Sequence, residues 1–256
     1  VALFVDRESD RASLLYVNAA GSVLSSGVTT GAVIGSWDYA TGVVDEPTDT
    51  ARVLFYNTVA GGGRLVSIDL ATRSATILIN AVSLSGGWDD IVPIACDSAN
   101  CDRYVFHNSS SGVAAILEFS ASSGTWTTLQ TDTATLSGAS PYSDVWRRAW
   151  DNGTSELGLH RATDGFFGMV SVTLAGAERG RFARSGSGVV ITPLGGTFPG
   201  FDVATPLGEA GYLSAAGFTD ELFVYRNNGS ASVARMSVGS ASGLFDWPAG
   251  SFGAWT

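Results

Sequence analysis

Apolar residues along this chain come in short runs, broken every few positions by Gly, Asp, Pro and Thr. The runs have strand length and turn punctuation, and they carry no helical period. The stretch from Trp37 onward reads most plainly as four strands, WDYATGVV, ARVLFYN, RLVSIDL and ATILINAV. Self-similarity extends this reading to the rest of the chain. An apolar run ending in Tyr or His, followed five residues later by Gly, occurs at Leu14 to Gly21, Leu54 to Gly61, Val105 to Gly112 and Gly158 to Gly165; a fifth copy, Leu222 to Gly229, is one residue shorter.

Ahead of each run lies an aromatic marker with a polar residue after it: Trp37-Asp38, Trp88-Asp89, Trp146-Arg147, Phe201-Asp202 and, at the end of the sequence, Trp255-Thr256. Consecutive markers lie 51, 58, 55 and 54 residues apart, and wrapping from Trp255 through Val1 to Trp37 completes the cycle. Units of four antiparallel strands at this period predict an all-β chain folded as one five-bladed β-propeller, because a small sheet buries both faces only against its neighbours in a ring. The units expected are 255–256 plus 1–36, 37–87, 88–145, 146–200 and 201–254, with the N- and C-terminal strands pairing to close the ring. The fourth unit is the irregular one: GAERGRFARSGSGVVITPLGG holds either extra strands or a long loop. A β-sandwich or an irregular six-unit ring is the competing arrangement.

Composition narrows the function. The chain has 256 residues, a formal net charge of −10 and 14 basic residues, every one of them Arg, with 32 Gly and a single Gln, Gln130. The polar residues that cover helices are nearly absent, in keeping with an all-β fold. An acidic, Lys-free chain is a poor partner for a phosphate backbone, so no nucleic-acid partner is expected. No apolar stretch is long enough for a membrane span, and any signal peptide is read as already removed. Cys96 and Cys101, with four residues between them in CDSANC, are read as a disulfide, and Asn108, Asn152 and Asn228 as N-glycosylation acceptors. Together these features predict a secreted protein.

The pairing of a G-W-x-x-I-V-P strand with a following L-F-Y-N-x-x-x-G strand, seen in full at Gly87 to Pro93 and Leu54 to Gly61, resembles propeller repeats of tachylectin-like lectins. That resemblance implies a shallow sugar site between each pair of blades, and so a multivalent glycan-binding protein without a cofactor. Phe201 in place of Trp, and Arg147 and Thr256 in place of Asp, depart from the pattern.

Trp37, Trp88, Trp146 and Trp255 offer flat faces for pyranose stacking, with Asp38, Asp89 and Asp202 accepting hydroxyl hydrogen bonds. The same residues serve equally as inter-blade packing and turn caps. Tyr16, Tyr56, His107, His160 and Tyr225 fill one repeat column that includes both histidines of the chain, so the position wants a planar ring with a hydrogen-bonding edge, facing a ligand or buried with its tip satisfied. Neither a Ser-His-Asp set nor a metal cluster can be assembled from the pattern, so no catalytic or metal residue is assigned. The alternative is a secreted propeller enzyme with one site in the central channel, a glycoside hydrolase or a small-molecule catalyst using His107 and His160; its available carboxylates are Asp6, Asp38, Asp89, Asp90, Glu118 and Asp144. SASSGTW, from Ser120 to Trp126, lacks the Asp of a sialidase box and reads as a hairpin. Arg179, Arg181 and Arg184 form the single local basic patch, either solvated or suited to an acidic ligand.

Overall fold

A computed structural model of the chain describes residues 2–6, 11–17, 23–28, 37–45, 50–69, 71–72, 74–94, 101–120, 123–132, 136, 142–151, 154–173, 180–185, 188–197, 203–206, 220–226, 228–237 and 240–249, some of them by backbone alone. Every regular element among them is a β-strand. The chain divides into two compact units, Val1–Trp88 with Phe119–Thr125 and Asp89–Glu118 with Trp126–Thr256.

In the first unit, β1 (Ala2–Asp6), β2 (Arg11–Val17) and β3 (Val23–Val28) form a three-stranded antiparallel sheet. The second sheet runs in sequence order through β4 (Tyr39–Asp45), β5 (Thr50–Tyr56), β6 (Gly62–Asp69) and β7 (Ala75–Ser83). These four strands match the four apolar runs expected there. In β5 the alternation of apolar and polar residues breaks down, and Val53, Leu54, Phe55 and Tyr56 are all buried. A strand inside a sheet with both faces covered reads as a continuous apolar run.

The Gly that follows each run five residues on also has a cause. Asn57 opens the turn after β5, its Oδ1 accepting from Ala60 N at 2.6 Å and its carbonyl from Gly61 N at 2.9 Å. Gly61 then turns back at φ +68°. Asn108 with Gly112 and Arg161 with Gly165 repeat the turn, with φ of +70° and +69°. The left-handed region is open to Gly at little cost, so one residue type recurs at this place in the second, third and fourth sheets.

The third sheet comprises β8 (Asp90–Ile94), β9 (Cys101–His107), β10 (Ala114–Ser120) and β11 (Thr125–Asp132) in sequence order. SASSGTW is the turn of its last hairpin, closed by Gly124 N donating to Ser120 O at 2.9 Å with Gly124 at φ +65°. In the second unit, the fourth sheet runs β12 (Asp144–Asp151), β13 (Thr154–Arg161) and β14 (Phe166–Thr173). Its outer edge is shared: β15 (Arg181–Phe182) pairs with one end of β14 and β18 (Ile191–Thr197) with the other. Between them a small ribbon, β16 (Arg184–Ser185) and β17 (Gly188–Val189), is inserted. The irregular fourth unit therefore holds extra strands. The last sheet is β19 (Val203–Pro206), β20 (Asp220–Tyr225), β21 (Ala231–Ser237) and β22 (Ser240–Trp247).

Within the second unit, β8 packs on β12, β12 on β19, and β18 on β21 and β22. Val105, Ile116, Tyr142, Leu157, Leu159, Val170, Val172 and Phe182 share one buried cluster there. The N-terminal β1 pairs with β2 and the C-terminal β22 with β21; closure through the termini falls on residues 250–256, outside the described residues, as does the Cys96 end of the expected disulfide. Among the described residues no helix is long and apolar enough to cross a membrane.

Trp146 on β12 stands opposite Gly158 on β13, and its indole lies where a Cβ on Gly158 would sit. Gly158→Ala is expected to destabilise the protein by about 1–3 kcal/mol through overpacking, read as a lower midpoint in urea.

Candidate functional site

The residue after the aromatic marker acts as a clip at both Trp37 and Trp88. Asp38 donates its backbone N–H to Tyr56 O at 3.1 Å, and its Oδ2 accepts from Thr58 N at 2.9 Å and Thr58 Oγ1 at 3.0 Å. Asp89 repeats the arrangement: its N–H goes to His107 O at 2.9 Å, and its Oδ2 takes Ser109 N at 2.8 Å and Ser109 Oγ at 2.7 Å. Both carboxylates tie the lead-in of the first strand to the turn that follows the second. Their Oδ2 atoms serve the turn, which is the capping role.

This geometry shifts one marker. In the fourth sheet the clip is Ser143, whose N–H donates to His160 O at 2.7 Å and whose Oγ accepts from Ala162 N at 2.9 Å. Asp144 pairs with His160 as Asp90 pairs with His107 and Tyr39 with Tyr56. The residue in the Trp37 and Trp88 position is therefore Tyr142, and the reading of Trp146-Arg147 as that unit's marker is corrected. Trp146 lies four residues further on, inside β12, buried edge-on against Phe167 with ring centroids 6.2 Å apart. Pro141-Tyr142-Ser143 preserves an aromatic followed by a small hydrogen-bonding residue, and that was the available signal.

The ring column is interior wherever its side chains are described. Tyr56, His107 and His160 are each fully buried, so of the two placements expected for this column the described rings take the interior one. His107 Nδ1 lies 3.0 Å from Asp90 Oδ2, and His160 Nδ1 lies 2.7 Å from Asp144 Oδ2. An ionised carboxylate only accepts, so with its Asp charged each imidazole donates through Nδ1. Neither Nε2 has a hydrogen-bond partner among the described residues, so no Ser hydroxyl there completes a catalytic relay. His160 also stacks on Phe167 at 4.6 Å. Burial raises the Asp90 carboxyl above its ordinary value, opposed by the hydrogen bond and charge of His107 and reinforced by the nearby charges of Asp144 and Asp89.

Trp37 and Trp88 are half-buried. The Arg64 guanidinium sits over the Trp37 ring at 5.3 Å while its Nε donates to Asn80 Oδ1 at 3.0 Å. Trp88 donates its indole N–H to Leu84 O at 3.0 Å. In the fourth sheet Arg161 lies over Tyr142 at 5.5 Å and over Phe166 at 5.0 Å, and its ion pair with Asp164 holds that exposed carboxyl below its ordinary value. Arg181 and Arg184 are exposed on β15 and β16. Tyr16, Tyr225 and Arg147 are described by backbone alone; Asp202, Trp255, Asn152 and Arg179 lie outside the described residues. Asn228 is exposed and Asn108 half-buried, each with its side-chain carbonyl accepting from its own turn. Among the described residues no group of three or more His, Cys, Asp or Glu is placed to hold a metal ion.

No protein-family model and no curated protein matches the chain. Solved structures do. TolB from Acinetobacter baumannii is similar with a TM-score of 0.51 at 14% identity, over 94% of this chain and 51% of TolB. The SapL1 lectin, solved in complex with alpha methyl fucoside, is similar with a TM-score of 0.52 at 12% identity, over 96% of this chain and 80% of SapL1. A Lactobacillus plantarum protein gives 0.52 at 11%, over 95% of this chain and 67% of its own length. These neighbours are β-propellers. The chain thus has an all-β fold of antiparallel sheets like theirs, and it spans about half the length of TolB.

Asp38→Ala removes an acceptor from both Thr58 groups and is expected to cost about 1–2 kcal/mol in urea unfolding. Asp90 gives a pH signature of known sign. Its folded-state value is raised, so its ionisation penalty is absent below the ordinary value of 3.8, grows as pH rises above it, and is complete above the folded value. Relative to the wild type, Asp90→Asn is expected to gain stability as pH rises through that window, measured by urea melts between pH 3 and pH 7.

Proposed function

We propose that the chain is a secreted, multivalent carbohydrate-binding β-propeller of the tachylectin-like kind, five-bladed and closed through its termini. The observation that carries this reading is the recurrence of one half-buried indole at one position, Trp37 and Trp88, each followed by an Asp clipped to a turn in the same way. Recurrence favours copies of one shallow site. A catalytic centre needs an acid and a base in different surroundings, and so breaks the symmetry of its repeats.

The chemistry around Trp37 suits a saccharide. An aromatic ring gives area for sugar C–H groups, while Arg64 and Asn80 beside it give donors and an acceptor for hydroxyls. The likeness to SapL1 adds a lectin of similar fold that binds a fucoside. A secreted location, the Cys96–Cys101 disulfide and glycan attachment belong to the same proposal and draw on the composition and the acceptor triplets.

Isothermal titration against a panel of methyl glycosides is expected to give more than one site per chain, with millimolar to micromolar affinity, and Trp37→Ala is expected to remove one site while leaving the others. A stoichiometry of one overturns the multivalent reading.

A further inference from the structure

Tyr56 differs from its column partners in what it holds, and that difference reaches Trp88. Where His107 and His160 each face an Asp, Tyr56 Oη donates to Ser85 O at 2.7 Å and accepts from Trp88 N at 3.4 Å. Both contacts fall on the five residues after β7, Leu84 to Trp88, which lie across the turn between β5 and β6. Leu84 N donates to Gly61 O at 2.7 Å and Gly87 N to Thr58 O at 2.7 Å. Trp88 Nε1 donates back to Leu84 O and closes the strap on itself. The approach is close: a Cβ on Gly61 would strike the Ser85 backbone, and one on Gly86 would strike Val59 O.

Ser85 sits at φ +68°, and among the described residues it is the one non-Gly residue with positive φ. A residue that merely turned the chain there would be Gly, as at Gly61, Gly112 and Gly165. A strained Ser persists where its surroundings over-determine it, and such positions gather at functional sites. Here the surroundings are Tyr56 Oη on the Ser85 carbonyl and the hydrogen bonds on either side. The outer side of the strap is open, with Ser85, Gly86 and Gly87 exposed, Val59 on the adjoining turn 89% exposed, and Trp88 half-buried. Because the indole N–H is engaged with Leu84, Trp88 meets a ligand through its ring carbons.

We propose that Tyr56 and Ser85 are positioning residues that preset the Trp88 ring as a platform for the C–H face of a neutral sugar. The proposal rests on the carbohydrate-binding reading. A platform fixed before binding loses little side-chain freedom when the sugar arrives, so its rigidity adds to affinity.

The test uses the full chain labelled with 5-fluorotryptophan and followed by fluorine NMR, the Trp88 resonance being assigned by its loss in Trp88→Phe. Tyr56→Phe is expected to shift and broaden that resonance alone, and to weaken the response of Trp88 to methyl α-fucoside about fivefold, the loss of roughly one hydrogen bond. Responses at the other Trp residues stay as in the wild type. An unchanged Trp88 resonance in Tyr56→Phe overturns the proposal whatever the sugar does. A perturbed Trp88 resonance in a protein whose Trp residues all ignore methyl α-fucoside upholds the positioning and counts against fucoside binding instead. Ser85→Gly supplies a second arm: a higher Tm with a broadened Trp88 resonance is expected, and an unchanged Tm overturns the claim of strain at Ser85.

Discussion

A strand in the middle of a sheet, with apolar side chains on both faces, can end in a polar ring only if another part of the chain brings that ring a partner. Tyr56 and His107 are the last residues of such strands and His160 the last but one, and all three are fully buried. Leaving a buried hydroxyl or imidazole unpaired costs more than an average hydrogen bond contributes. The partner comes from the same sheet for the histidines, Asp90 or Asp144 on the neighbouring first strand, and from the segment leading to Trp88 for Tyr56. The backbone beside each ring is held in the same way, since the clip residue donates to the carbonyl of the Tyr or His. Strand order, hairpin turn and marker position within a sheet all meet at this point.

At that junction the recurring Asp is a structural device. Asp38 and Asp89 each satisfy a backbone amide and a hydroxyl of the following turn, and Ser143 does the reduced version with one amide. A short side chain reaching across from the lead-in suffices for this, which is why Asp and Ser interchange. The aromatic before the clip varies as well, between Trp and Tyr, while its spacing to the clip is kept. The chemical face that each ring presents therefore depends on how it is dressed. Arg64 covers Trp37, Arg161 covers Tyr142, and a strap of small residues frames Trp88. One scaffold position carries three different chemical faces.

The pairs His107–Asp90 and His160–Asp144 resemble two thirds of a catalytic relay, yet the imidazoles are sealed and the carboxylates are their more accessible members. In a relay the order is reversed, with the carboxylate buried behind a ring that reaches the substrate. Each pair ties the first strand of its own sheet to the second, and the two sheets pack through β8 and β12.

Much of this was legible from residue order alone. Strand lengths, the all-β class, the four strands after Trp37, the hairpin at Ser120 to Trp126 and the regular Gly all follow from local steric and apolar patterning, and local patterning is written in consecutive residues. In the fourth sheet Trp146 is the more conspicuous aromatic in sequence, and only strand register, with Asp144 opposite His160, identifies Tyr142 as the equivalent. The burial of the ring column was open for a related reason: a planar polar side chain at a strand end has the same spacing whether it faces water or a carboxylate. The choice between those environments depends on which distant segment is folded against it, and that is settled by tertiary packing, where residues 16, 17 or 29 positions apart come within hydrogen-bond distance.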